Sequence, residues 1–159
     1  MEDRFVVDVD RLKRDGERFE GALDDSIYAL GDEFLVPFAG LRYNLFAQRI
    51  GGELLVRGSL EQDFTAACSR CGADFDFTVK VPDYVTSVEI GENVEFADLT
   101  DDLRECIILA LPTYPVCRED CRGICPTCGR NLNEGSCSCV REERDGRWDV
   151  LDSLKKGEK

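Results

Sequence analysis

Residues Cys117–Cys139 read CREDCRGICPTCGRNLNEGSCSC and hold six cysteines: Cys117, Cys121, Cys125, Cys128, Cys137 and Cys139. No hydrophobic core needs cysteine at that density, and the chain has no histidine to share ligation. Two more, Cys68 and Cys71, form an upstream C-x-x-C-G. Cys68-Ser-Arg-Cys71-Gly72 and Cys125-Pro-Thr-Cys128-Gly129 share one design. Such a turn sets both sulfurs on one side with backbone N–H groups aimed at them, and the glycine permits the tight reversal. Pairs at these spacings read as metal ligands.

Four pairs make two closed four-cysteine sites, which zinc favours, with Cys106 left over. Iron is the alternative, because C-x-x-C-G turns also hold single iron atoms in rubredoxin-like electron carriers. Loop length suggests the pairing. Cys128 and Cys137 are separated by eight residues, so Cys125, Cys128, Cys137 and Cys139 close at little entropic cost. Cys68, Cys71, Cys117 and Cys121 then staple the tail to the preceding chain. The competing partition groups Cys117, Cys121, Cys125 and Cys128, and leaves Cys137 and Cys139 to Cys68 and Cys71. A closed thiolate set has no open position for substrate or activated water, so the expected role of the metal is structural. Reactive-cysteine sensing is a further alternative for whichever pair is exposed.

Outward from the cysteines, hydrophobic periodicity gives the fold. Phe75, Phe77, Val79 and Val81 alternate strictly, as in a strand with one buried face. Leu41–Ile50 and Glu53–Leu60 flank Gly51-Gly52, a two-residue hairpin link, and the second run continues through Phe64, Ala66 and Cys68. Cys68 and Cys71 therefore sit at a turn between antiparallel strands. Arg4–Val9 reads as a first strand with Phe5, Val7 and Val9 on one face, and Glu17–Leu23 as a second. Asp24, Asp25 and Gly31-Asp32 mark loop, and Pro37 assigns Phe34–Phe38 to an edge or a strand end. Over 98–111 the period changes. Leu99, Leu103, Cys106, Ile107, Ala110 and Leu111 make a helical stripe, capped by Asp98 or Thr100 and stopped by Pro112. Cys106 on that stripe reads as a small core residue. Trp148, Leu151 and Leu154 suit a short docking helix. The expected fold is mostly β with a few helices (α+β): a curled antiparallel sheet or barrel-like core and closing helix over 1–112, then a Cys-rich metal-binding tail over 113–159, docked as one unit.

The 159 residues carry a net charge of −13, with the excess in residues 1–115. Such a surface repels bare phosphate backbones and suits a basic protein partner. The N-terminus lacks a signal-peptide pattern and no apolar run spans a bilayer, so a cytoplasmic protein with reduced thiols and no membrane association is expected. Ser-His and Cys-His nucleophile systems are excluded, and neither a phosphate-binding loop nor a nucleophile elbow is present. A non-enzymatic protein is expected.

The C-S-R-C at a strand end, L-R-E-C-I-I-L-A-L-P, C-x3-C-x-G-x-C-P-x-C-G-x-N-L-N, the terminal C-x-C and the late R-W-D-V-L-D-S-L together resemble the bacterial YceD family, the large ribosomal RNA subunit accumulation proteins. The likeness runs from about Val56 to Leu154 and is most specific between Leu109 and Asn133. It implies a non-enzymatic role in large ribosomal RNA processing or stability, near large-subunit assembly. Together with the acidity, it implies action through a basic ribosomal protein or ribosome assembly factor, with indirect association with the RNA. Two other classes compete: an iron-bearing electron carrier, and a zinc-bearing protein-interaction or transcription module, which the absence of a basic helix disfavours.

Overall fold

A computed structural model describes residues 4–28, 34–91 and 94–140. Strands β2 (Glu17–Leu23), β3 (Leu35–Ile50), β4 (Glu53–Ala67) and β5 (Asp74–Glu89) form an antiparallel sheet in that order. β1 (Val6–Asp8) pairs with β6 (Phe96–Asp98) in a separate two-stranded sheet, and helix α1 (Thr100–Ala110) follows. Among these residues the fold is mostly antiparallel β with one α-helix, as the periodicity predicts. Gly31-Asp32 and the Trp148–Leu154 stripe lie outside the described residues. Among those described, no helix is long and apolar enough to cross a membrane.

Alternation decides the faces. Leu41, Leu45 and Ala47 of β3, and Leu54, Val56, Leu60 and Phe64 of β4, are fully buried on one side. Leu103 and Ile107 of α1, with Leu99 before it, cover that side together with Phe5, Val7 and Val9. Each of these leucine, valine, isoleucine and phenylalanine side chains contributes about 1.5–3 kcal/mol of burial. Ala110, expected on the helix's apolar face, is exposed, and Ile108 packs against the core in its place. Asp98 accepts the Thr100 N–H at 3.0 Å, and the Thr100 hydroxyl accepts the Phe5 N–H at 2.9 Å, so the helix start is tied to the first strand.

Two register shifts curl the sheet. At the first, between Phe38 and Arg42, Ala39 and Gly40 take positive φ values of 66° and 73°. The buried Gln62 fills this gap, its Nε2 donating to the Phe38 carbonyl at 2.9 Å and to Asp25 Oδ1 at 3.0 Å. Gly40 N–H donates to the same Asp25 oxygen at 3.1 Å. Below this shift β2 no longer pairs with β3, so among the described residues Pro37 lies where the strand has a partner on one side only. At the second, Gly58 opposes Tyr84 and Leu60 opposes Val81, so β5 spends two residues, Pro82 and Asp83, against one on β4. The buried phase of β5 therefore moves from odd to even positions, and the strand runs to Glu89 although its alternation breaks after Val81.

The buried Tyr84 hydroxyl donates a hydrogen bond to Asp102 of α1. Burial, then this hydrogen bond, raises the phenol above its ordinary 10.0. The folded state thus holds the proton more tightly than the unfolded chain. Its contribution is intact below pH 10 and is lost as pH rises further. Denaturant melts should show stability falling above about pH 10, with a shallower fall in Tyr84→Phe; equal slopes would contradict it.

Candidate metal centres

The turn from β4 to β5 builds the first half of one centre. Cys68 N–H donates to the Ala73 carbonyl at 2.9 Å and Gly72 N–H to the Cys68 carbonyl at 2.8 Å, with Gly72 at a φ of 73°. The tail repeats the design: Cys125 N–H reaches the Arg130 carbonyl at 2.8 Å, Gly129 N–H reaches the Cys125 carbonyl at 2.9 Å, and Gly129 has a φ of 72°. Only glycine takes that conformation without strain, so each turn can point two sulfurs the same way.

The structure brings Cys68, Cys71, Cys117 and Cys121 together, and separately Cys125, Cys128, Cys137 and Cys139; within each group the sulfurs all lie within 4.8 Å of one another. The competing partition is not the arrangement adopted. Cys68 and Cys121 Sγ are 3.9 Å apart, as are Cys71 and Cys117 Sγ. A disulfide is about 2 Å long, whereas a tetrahedral zinc with sulfurs at its usual bond length has edges of about 3.8 Å. The spacing and the all-sulfur donor set fit a metal ion in both groups. Cys68, Cys71 and Cys121 are buried, while Cys128 and Cys139 are exposed. Cys106 joins neither group and stays half-buried on α1; burial and then Asp102 raise its thiol.

Electrostatics within the groups favour a cation. Burial pushes the Cys68 thiol up, but the N–H groups of Cys117, Cys71 and Arg70 outweigh it and bring it down to about 6. The Cys128 and Thr127 N–H groups bring Cys125 to about 6. Cys117, by burial and the nearby Cys121, is pushed up to about 12, and Cys139, chiefly by Cys128, also to about 12. Thiolates so close repel one another, and a divalent cation lets all four ionise.

Several contacts lock the first group that no spacing rule announces. Ser69 N–H donates to the Pro115 carbonyl at 2.8 Å, and the Arg70 guanidinium donates to the Glu119 carbonyl at 2.9 Å, so the turn grips the tail beside its sulfurs. Asn133 binds the two halves of the tail. Its Nδ2 donates to Cys121 Sγ at 3.3 Å, and its Oδ1 accepts the Arg122 N–H at 2.9 Å and Arg118 Nη2 at 2.8 Å. The sequence presents Asn133 only as part of a motif. Outer contacts of this kind tune metal affinity. Asn133→Ala should weaken the first centre about 10- to 100-fold in a chelator competition; an unchanged competition curve would remove Asn133 from this role.

The description "Large ribosomal RNA subunit accumulation protein YceD" belongs to a family model that matches residues 56–155, a stretch containing all eight grouped cysteines. Uncharacterized proteins of Mycobacterium bovis and Mycobacterium tuberculosis are 32% identical over 92% of this chain and 79% of their own length. A large ribosomal RNA subunit accumulation protein YCED homolog 1, chloroplastic, of Arabidopsis thaliana is 30% identical over 46% of this chain and 23% of its own. No solved structure matches.

Proposed function

We propose, because this chain belongs to the YceD family of large ribosomal RNA subunit accumulation proteins, that it is a non-enzymatic zinc-bearing factor in large-subunit ribosome assembly. Family membership carries this reading, since the match runs through β4, β5, α1 and the cysteine tail. Zinc is the metal proposed for both four-cysteine groups, because closed all-sulfur tetrahedra suit it and need no redox partner. Each group commits all four of its sulfurs to the ion, which leaves no position for substrate and supports a structural role.

The acidity supports the choice of partner. A net charge of −13 disfavours a broad grip on ribosomal RNA and favours a basic ribosomal protein or assembly factor as the main contact. The place of action proposed is the cytoplasm. Capture of partners by the tagged full chain at moderate salt should recover basic ribosomal or assembly proteins; recovery of protein-free RNA alone would overturn this. In cells lacking the protein, large ribosomal RNA should fall relative to small, and wild-type chain should restore it. The all-sulfur donor set also suits iron, as in an electron carrier. A visible absorption band that bleaches on reduction would replace the zinc reading with that one.

A further inference from the structure

One register row on the outer face of the sheet sets an arginine on each side of an aromatic ring. Arg18 of β2 lies opposite Phe46 of β3, Phe46 opposite Arg57 of β4, and Arg57 opposite Val85 of β5. Cross-strand partners share a face. This face points away from the core, because Leu45, Ala47 and Val56, the chain neighbours of Phe46 and Arg57, are fully buried. The row opens on a cleft of about 540 Å³, walled also by Asn44, Pro82 and Asp83. That volume falls in the range of small-ligand sites.

The cleft holds two arginines beside Asp83. Elsewhere on the core, Arg4 pairs with Asp98, Arg11 with Asp8, Arg42 with Glu61 and Asp63, and Arg104 with Asp101. Arg57 makes no ion pair among the described residues; its guanidinium sits 5.4 Å from the Phe46 ring centroid. The Arg18 pair with Glu20 is 4.0 Å long between side chains that are both well exposed, so it holds Arg18 only weakly. Two guanidiniums available to one cleft form forks that match phosphate oxygens. Phe46, Pro82 and Val85 supply apolar wall for a base, and Asp83 lines its edge beside Asn44, whose Nδ2 donates to Glu20 at 2.8 Å.

We propose that this cleft binds one nucleotide of single-stranded RNA, its phosphate held by Arg18 and Arg57 and its base against Phe46, Pro82 and Val85. The proposal rests on the ribosomal RNA reading of the family and adds one direct, local contact to an association made mainly through protein. A duplex needs a long basic track, which the acidic surroundings deny, whereas an unpaired nucleotide needs only a charged fork and an apolar wall.

Fluorescence anisotropy with a labelled ten-nucleotide single-stranded RNA tests it on the full metal-loaded chain. Arg57→Gln and Arg18→Gln should each weaken binding about tenfold and flatten the dependence of log affinity on log salt by about 0.7. Arg49→Gln, an exposed cation on the opposite phase of β3, should change neither. The RNA should be displaced by excess unlabelled strand and not by a ten-residue polyglutamate. Absence of binding by wild-type chain, binding by both cleft variants as tight as wild type, or equal displacement by polyglutamate would each overturn the proposal. Partner capture and large ribosomal RNA levels are measured separately, so any of these results alongside normal capture and accumulation would sink the cleft and leave the family role standing.

Discussion

Cys121→Ser should cost the protein one metal ion and free the tail from the sheet. Cys121 is buried, its Sγ faces Cys68 at 3.9 Å, and it accepts the Asn133 amide. A structural zinc contributes on the order of 10–16 kcal/mol to the fold it organises. With one of four thiolates gone, the remaining sulfurs are partly buried without full compensation, and at least about 3 kcal/mol of that contribution should go. Residues 113–140 should become sensitive to limited proteolysis while the sheet signal in circular dichroism persists. Cys139→Ser, in the more exposed group, should also lose one ion but keep the tail attached, because that group closes within the tail. Release of the tail by Cys139→Ser, or its retention in Cys121→Ser, would reverse the division of labour between the two centres.

Gly58→Ala should destabilise the sheet severely. A Cβ at Gly58 would sit 2.0 Å from the Asn44 carbonyl oxygen and 2.9 Å from Leu45 Cα, and these are backbone atoms that no rotamer change can move. Leu45 is fully buried opposite Gly58, so the clash would pry apart β3 and β4 at the middle of the core. The expected loss is about 3 kcal/mol, read as a lower urea midpoint. A loss below about 0.5 kcal/mol would mean that the strands do not approach as closely as described. Gly52, where an added Cβ meets nothing within 4 Å, is the matched control and should change stability little.

Much of this fold can be read from local pattern. The Gly51-Gly52 hairpin, the Phe75–Val81 alternation and the 98–111 helical stripe each announce their element, because burial on one face imposes a fixed period. Where the backbone breaks period, the pattern stops helping. The second half of β5 is hidden because Pro82 and Asp83 together face one residue of β4 and invert the phase. β6 is three residues long and too short to show a period. Gln62 reads as an ordinary polar residue, and only the bulge beside it, with Asp25 from a distant turn, explains its burial. The cysteine turns are legible because ligation demands fixed spacings. The grip of Arg70 and Asn133 on the tail is not, since those contacts depend on how separate turns meet in space. The Arg18–Phe46–Arg57–Val85 row likewise emerges only from strand register.

The two-centre account is tested most directly by metal stoichiometry on full chain purified without added metal. It predicts two zinc ions per chain in the wild type and one in each of Cys121→Ser and Cys139→Ser. No bound metal, iron in place of zinc, or two ions retained by either variant would contradict it.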